Sequence, residues 1–315
     1  MPEPLLLIGD VTEPMTERLG QVFDLHFIEE IKSMDTWLRD VGPEVRQVLT
    51  NGHYGVPLDI MDRLPKLEMI SCYGVGYDNI DTDACLAKNI IATHTPDVLN
   101  AEVATTAVLL LLACYREFLR DEAWARSGRW KSNGNAPLSR SVENQTIGIL
   151  GMGRIGQEIA RKLAPWSPNI LYHTRTPKDV PYEYVSDLVE MAQRSDALIV
   201  ITPGGPSTYH LVDAVVLDAL GPKGTLINVA RGTVVDEEAL VAALRAEKLG
   251  WAGLDVFEDE PNIPVALSAM ANVVLLPHVA SATVETRAAM GDLAVDNLLQ
   301  FQKDGTVLTA VPECQ

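Results

Sequence analysis

The 315-residue chain is predicted to fold as two doubly wound parallel α/β sheets with a cleft between them. Three observations carry this prediction. Short apolar, β-rich runs alternate with helical patterns along almost the whole chain. A GxGxxG loop follows one of those runs near the middle. The length also exceeds the roughly 100–200 residues of a usual domain, so two domains are expected.

In the first series the strand-like runs are LLLIG (Leu5–Gly9), RQVLTNG (Arg46–Gly52), EMISCYG (Glu68–Gly74) and NIIATH (Asn89–His94). Their rhythm is that of parallel strands joined by crossover helices. Asn100 reads as the N-cap of a helical pattern from Ala101 to about Ser127. That pattern contains AVLLLLACY (Ala107–Tyr115) and is apolar on more than one face, which suits it to bridge domains and to face another subunit. A second series follows in TIGILGMG (Thr146–Gly153), NILYH (Asn169–His173), ALIVITP (Ala197–Pro203), TLINVARG (Thr225–Gly232), WAGLDVF (Trp251–Phe257) and NVVLLPH (Asn272–His278). These six strands make a full doubly wound sheet. The last helical stretch, Thr283 to Lys303, is expected to return to the first domain. Residues 1–100 and 283–315 would then form a discontinuous substrate-binding domain, with a cofactor domain of residues 101–282 inserted into it.

Composition narrows the function. Lys plus Arg number 25 against 43 acids, a net charge of −18 that repels phosphate backbones, so no nucleic-acid partner is expected. The longest apolar run is about half of the ~18 residues of a membrane span, so no membrane partner is expected either. The first residues, MPEPLLLIGD, lack the basic segment and cleavage site of a signal peptide, and a cytoplasmic location is expected. Cys72, Cys85, Cys114 and Cys314 are scattered, with no CxxC pair and no histidine at metal-ligand spacing; reduced thiols and no metal are the reading.

Gly151, Gly153 and Gly156 in GMGRIG lie between strand-like TIGIL and an amphipathic helix from Arg154 to about Leu163. That context is the fingerprint of a Rossmann-like dinucleotide site. Gly151 permits the tight turn, Gly153 lets the backbone approach a pyrophosphate, and Gly156 lets helix and strand pack closely. The helix N-terminus receives the anion. About 20 residues further on, an acid would bind the ribose 2′-OH of NAD. This chain instead reads His173, Thr174, Arg175, Thr176, with no acid before Asp179. A guanidinium pairs bidentately with a 2′-phosphate, the threonines can donate hydrogen bonds, and Lys178 can assist, so NADP(H) is expected over NAD(H). On the residues alone, Arg175 also reads as a solvated loop arginine.

Polar residues at later strand ends are the candidates for chemistry. Arg231 follows TLINVA, and its fork matches the two oxygens of a carboxylate. A surface arginine capping a helix is the alternative. His278 follows NVVLLP, and an imidazole's ordinary pKa near 6.5 suits proton transfer, although a lone histidine also reads as structural. Glu260 in DVFEDEP would favour a protonated imidazole beside it; Glu258, Asp259 and Glu260 together also read as a solvated acidic turn.

The set GMGRIG, NVARG, DVFEDEP and LPHVASAT, in this order, resembles the D-2-hydroxyacid dehydrogenase family. The likeness runs from YGVGYDNID (Tyr73–Asp81) to the helix after Thr283. It implies that Arg231 anchors the substrate's carboxylate and keto oxygen, that His278 is the general acid in reduction, and that Glu260 is its partner. It also implies carboxylate contacts from the backbone amides of Val75 and Gly76, a pair that otherwise reads as a plain turn. The cofactor set assigned with it is Gly151, Gly153, Arg154, Ile155, Thr174, Arg175, Thr176, Thr202, Pro203, Thr208, Val229, Ala230, Asp255, His278 and Ala280. Pairing through the cofactor domain into a homodimer is implied as well.

Within the family, NGHYGVP, HTPDVLNAEVA and YHTRTPK resemble the NADPH-dependent glyoxylate/hydroxypyruvate and hydroxyphenylpyruvate reductases. The expected activity is NADPH-dependent reduction of a small 2-keto acid, glyoxylate or hydroxypyruvate, to the D-2-hydroxy acid. Alternatives are a reductase of bulkier acids such as hydroxyphenylpyruvate or 2-ketogluconate, and a nucleotide-sensing binding protein like the related transcriptional corepressors. Formate or phosphonate oxidation on the same scaffold is a further rival, less similar in YHTRTPK and around Val75. Thr105 stands where the family commonly has an acid, and Tyr73, Leu99 and Trp130 are expected to set the pocket's size.

Overall fold

The computed structural model describes residues 2–314. The chain divides into two units: one holds the residues up to Leu99 and from Thr283 onward, the other Asn100–Ala282.

The first unit is built on five parallel strands, β1 (Glu3–Leu7), β2 (Phe23–Phe27), β3 (Gln47–Thr50), β4 (Met69–Cys72) and β5 (Ile91–Thr93), in the order β2-β1-β3-β4-β5. Leu5 pairs with Leu25 on one side and Gln47 on the other. Strands β3 and β4 are buried at every residue, which is why they read as continuous apolar runs. β2 is one strand more than the four expected. Its sequence FDLHF alternates apolar with polar because it is an edge strand, mostly half-covered, and so lacks the apolar run. The helix Val284–Asp304 starts at Thr283, whose hydroxyl accepts the Thr286 amide, and lies against β4. It satisfies buried polar groups of the sheet: Ser71 donates to the Ala294 carbonyl at 2.9 Å, and Gln47 to Gln302 at 2.7 Å.

The second unit carries seven parallel strands: β6 (Thr146–Leu150), β7 (Asn169–His173), β8 (Glu183–Tyr184), β9 (Ala197–Val200), β10 (Thr225–Asn228), β11 (Trp251–Leu254) and β12 (Val273–Leu275). Their order is β12-β11-β10-β9-β6-β7-β8, so the chain reverses its direction of travel across the sheet between β6 and β9. Ligands bind such sheets at that switch point, outside the carboxyl ends of the strands. β8 is the strand beyond the expected six; two residues at a sheet edge leave no periodic signal.

The expected continuous helix from Ala101 to Ser127 is broken. Helix Asn100–Tyr115 is followed by Phe118–Arg126, with Glu117 between them in the left-handed region at φ 46°, and a further short helix, Arg129–Asn133, follows Gly128. The helix includes Asn100 as its first residue, one position before the expected start. The break separates two environments. Asn100–Tyr115 lies against β10, β11 and β12, and Gly253 leaves room for Leu110 and Cys114, which would lie 3.1 and 3.3 Å from an added Cβ. Phe118–Arg126 has no buried residue. The turn is held by Arg140, whose amide bonds the Tyr115 carbonyl and whose guanidinium sits between the Tyr115 and Trp251 rings at 4.2 and 3.8 Å.

Among the described residues no helix is long and apolar enough to cross a membrane, and no three His, Cys, Asp or Glu side chains converge to hold a metal ion. None of the four cysteines is in a disulfide; burial pushes the thiols of Cys85 and Cys114 up to about 12.

Candidate active site

The phosphate loop lies at the switch point of the second sheet. Gly151 has φ +107°, and a Cβ there would stand 2.7 Å from the Ile201 carbonyl, so the loops after β6 and β9 approach as only glycine allows. A Cβ on Gly156 would meet the Gly151 carbonyl at 2.1 Å, which lets the helix Arg154–Leu163 close on the loop. Gly153 differs: a Cβ there meets no described atom within 4 Å, and no side chain caps the helix it begins. An open glycine before uncapped helical amides is a cradle for an anion. Across the switch point the hydroxyl of Thr202 is buried with no hydrogen-bond partner among the described residues. A buried hydroxyl without a partner and an open cradle both fit a bound dinucleotide. Thr208 closes the loop after β9 by donating to the Pro203 carbonyl at 2.9 Å.

After β7, the Thr174 hydroxyl donates to the Thr176 carbonyl at 2.7 Å and the Tyr184 hydroxyl donates to the Thr174 carbonyl at 3.2 Å. Thr174 therefore uses its proton to shape the turn, while Arg175 and Thr176 stay exposed. Among the described residues Arg175 has no ion-pair partner.

The three residues expected to do chemistry all stand at carboxyl ends of this sheet. Glu260 Oε2 accepts a hydrogen bond from His278 Nδ1 at 2.6 Å, and its other oxygen accepts the Phe257 amide at 3.0 Å. The carboxylate is thereby pinned by backbone while it holds the ring. Nδ1 carries the proton of that bond, so Nε2 is the nitrogen left to exchange one. His278 itself sits at φ 53°, a left-handed position imposed by Asp255. The Asp255 carbonyl accepts the His278 amide at 2.8 Å, and its carboxylate accepts the amides of Val279 and Ala280 at 2.8 and 2.9 Å. Burial raises the pKa of this carboxyl; those two amides oppose the rise. Thr106 ties the helix Asn100–Tyr115 to the same loop through the Ala280 carbonyl at 3.2 Å. Its neighbour Thr105 is exposed and bonds back to the Ala101 carbonyl.

Arg231 ends the loop after β10, and its guanidinium donates to the Ala230 carbonyl at 2.7 Å. Asn228, fully buried, clamps that loop: it accepts the Ala230 amide and donates to the Arg231 carbonyl, both at 3.0 Å. A Cβ on Gly232 would lie 1.9 Å from the Phe257 carbonyl carbon, so the Arg231 loop and the Glu260 loop are in backbone contact. A second imidazole–carboxylate pair, His210 with Glu258 at 2.6 Å, joins the loop after β9 to the same turn. Sequence reasoning does not find Asn228, Gly232, Thr106 or His210. NVARG contains two of them, Asn228 and Gly232, but nothing in a linear pattern marks a clamp.

In the first unit, Val75 and Gly76 lie in the loop after β4, beside Tyr73, whose hydroxyl donates to the Arg287 carbonyl at 3.1 Å. His94 reaches the Val75 carbonyl at 3.0 Å. Of the residues expected to size a pocket, Tyr73 and Leu99 are buried in their unit and Trp130 is exposed.

A doubly wound sheet with this phosphate loop and an imidazole–carboxylate pair at neighbouring strand ends has the architecture of a nicotinamide-dependent dehydrogenase. Residues 108–280 match the family described as D-isomer specific 2-hydroxyacid dehydrogenase, NAD binding domain, and the chain belongs to that family. It is 42% identical over 310 residues to the 2-ketogluconate reductase of Gluconobacter oxydans, covering 98% of each chain. It is 46% identical over 268 residues to glyoxylate/hydroxypyruvate reductase A of Arabidopsis thaliana, covering 85% of each. Among solved structures, the NADPH-dependent glyoxylate/hydroxypyruvate reductase of Sinorhizobium meliloti, in complex with NADP and malonate, superimposes with a TM-score of 0.92 at 46% identity, covering 99% of this chain and 98% of that one.

Proposed function

We propose that the protein is an NADPH-dependent reductase, working as a cytoplasmic homodimer, that converts a small 2-keto acid, glyoxylate or hydroxypyruvate, to the D-2-hydroxy acid. The observation that carries the reading is the Glu260–His278 pair, held at 2.6 Å on a loop that Asp255 fixes. The reductases named above, similar along most of their length, support it.

Gly151, Gly153 and the first helical turn with Arg154 and Ile155 hold the pyrophosphate, and Arg175 with Thr176 holds the 2′-phosphate. Thr202, Pro203, Thr208, Val229, Ala230, Asp255 and Ala280 complete the cofactor's surroundings. When bound, the reduced nicotinamide supplies the hydride. Arg231 binds the substrate carboxylate through its planar fork and polarises the carbonyl. The amides of Val75 and Gly76 share the carboxylate. His278 gives its Nε2 proton to the carbonyl oxygen as that atom gains charge, and Glu260 stabilises the protonated ring and fixes its orientation. The net charge of −18 does not oppose an anionic substrate, because exposed charges beyond roughly 8–10 Å are screened. A second reading, reduction of 2-ketogluconate, is favoured by the similarity to the Gluconobacter oxydans enzyme over 98% of both chains. The dimer surface is assigned to the exposed apolar side chains Leu109, Phe118, Leu119, Trp130 and Leu138.

The test is loss of absorbance by NADPH and by NADH with glyoxylate, hydroxypyruvate, pyruvate, phenylpyruvate and 2-ketogluconate. Turnover with NADPH over NADH is expected, ranked highest for glyoxylate or hydroxypyruvate. His278→Ala is expected to lower kcat by about 10²–10⁴-fold. Tight NADPH binding without turnover of any keto acid would sink the reductase and favour a nucleotide-sensing protein.

A further inference from the structure

The loop after β4 turns three consecutive carbonyls into the first unit. Gly74 O accepts the Thr95 amide at 2.8 Å, and Val75 O accepts His94 Nδ1 at 3.0 Å. Gly76 O accepts the Cys72 thiol at 3.5 Å and lies against Gly52, where an added Cβ would come within 2.2 Å of it. A trans peptide places its C=O and the following N–H on opposite edges. Among the described residues the one cis peptide is Glu260–Pro261, so both peptides of this loop are trans. Holding Gly74 O therefore turns the Val75 amide outward, and holding Val75 O does the same for the Gly76 amide. Among the described residues, neither amide donates a hydrogen bond. Two successive outward N–H groups form an anion-binding concavity.

The two peptides are held by different means. The first is held by the backbone of Thr95, which any non-proline residue would supply. The second depends on a side chain. We propose that His94 is a positioning residue for substrate binding: by donating from Nδ1 to Val75 O, it aims the Gly76 amide at the substrate carboxylate. The inference rests on the carboxylate role given to Val75 and Gly76 above. A carbonyl only accepts, so the proton is on Nδ1. The ring has little freedom to do otherwise. It is 9% exposed, the Tyr77 ring meets it edge-on at 5.2 Å between centroids, and its backbone is paired with Thr309 in both directions, at 3.1 and 2.6 Å.

Two variants of the full chain separate donor from ring. His94→Phe keeps the ring and loses the donor; His94→Asn loses the ring but offers an amide donor near the position of Nδ1. Each is measured with NADPH for glyoxylate kinetics and for binding of oxamate, an unreactive carboxylate mimic of a 2-keto acid. His94→Phe is expected to raise both KM and the oxamate Kd by about tenfold, the share of one hydrogen bond to a charged group. NADPH affinity should not change, and His94→Asn should recover most of the loss. An active parent whose His94→Phe variant keeps its KM and oxamate Kd overturns the inference and leaves the reductase standing. A parent that neither turns over nor binds oxamate defeats the carboxylate reading itself. Crystal structures of the variants still decide the orienting role in that case: a Val75–Gly76 peptide turned in His94→Phe and retained in His94→Asn supports it, and an unchanged peptide in both overturns it.

Discussion

Replacing Asp255 by asparagine keeps the shape of the side chain and removes one of its two acceptors. In the native loop each carboxylate oxygen serves one amide, Val279 at 2.8 Å and Ala280 at 2.9 Å, with Asp255 only 1% exposed. The asparagine oxygen can serve one of them, and its NH₂ must then face the other N–H, donor against donor. A hydrogen bond to a charged acceptor contributes about 1.5–3 kcal/mol, and a buried amide left unpaired costs about 1–3 kcal/mol. Part is returned, because the buried charge is itself unfavourable, as the raised carboxyl pKa shows. A net loss of about 2 kcal/mol follows, which for a unit of this size lowers the melting temperature by about 4–8 °C. The His278 amide is bonded to the same residue's carbonyl, so the ring moves with the loop, and a displacement near 1 Å costs kcat about 10²-fold. Thermal melts by circular dichroism at neutral pH and steady-state kinetics with NADPH measure both effects. A variant that melts with the parent and retains its kcat would show that Asp255 does not hold the loop.

Two glycines should respond in opposite ways. Gly153→Val has open space and is expected to melt like the parent while losing NADPH binding in a fluorescence titration, whereas Gly232→Ala, 1.9 Å from the Phe257 carbonyl carbon, is expected to lose stability by about 1–3 kcal/mol in urea unfolding. Arg175→Ser is expected to raise the KM for NADPH by roughly 10–100-fold and leave that for NADH unchanged; equal effects on both would show that Arg175 does not read the 2′-phosphate. Burial raises the carboxyl pKa of Glu237 in the folded state, against the opposing hydrogen bond from the Glu258 amide, so the ionised group opposes folding at neutral pH and the opposition fades as pH falls through that raised value. Glu237→Gln should therefore stabilise the protein at neutral pH and lose its advantage in acid, read from melts across that range. Leu109→Asp with Phe118→Asp is expected to convert a dimer to a monomer in light scattering without loss of helix content.

Fold class is legible in the linear chain, because strands buried on both faces must be apolar throughout and helices between them must not be. β3, β4, β9 and β10, buried at every residue, can be read for that reason. β2 and β8 escape it at the sheet edges, where burial no longer dictates residue type, and the break at Glu117 escapes it because one residue's φ changes no periodicity. Arg231, Glu260 and His278 can be picked out as polar residues after apolar strands, but their distances cannot. Glu260 and His278 are 18 positions apart and 2.6 Å apart. Which groups meet is settled in three dimensions: Asp255 on two amides of the next strand's loop, Gly232 against Phe257, and His94 on the Val75 carbonyl. A hydrogen bond depends on where two strand ends finish in space, and the chain between them carries no record of that separation.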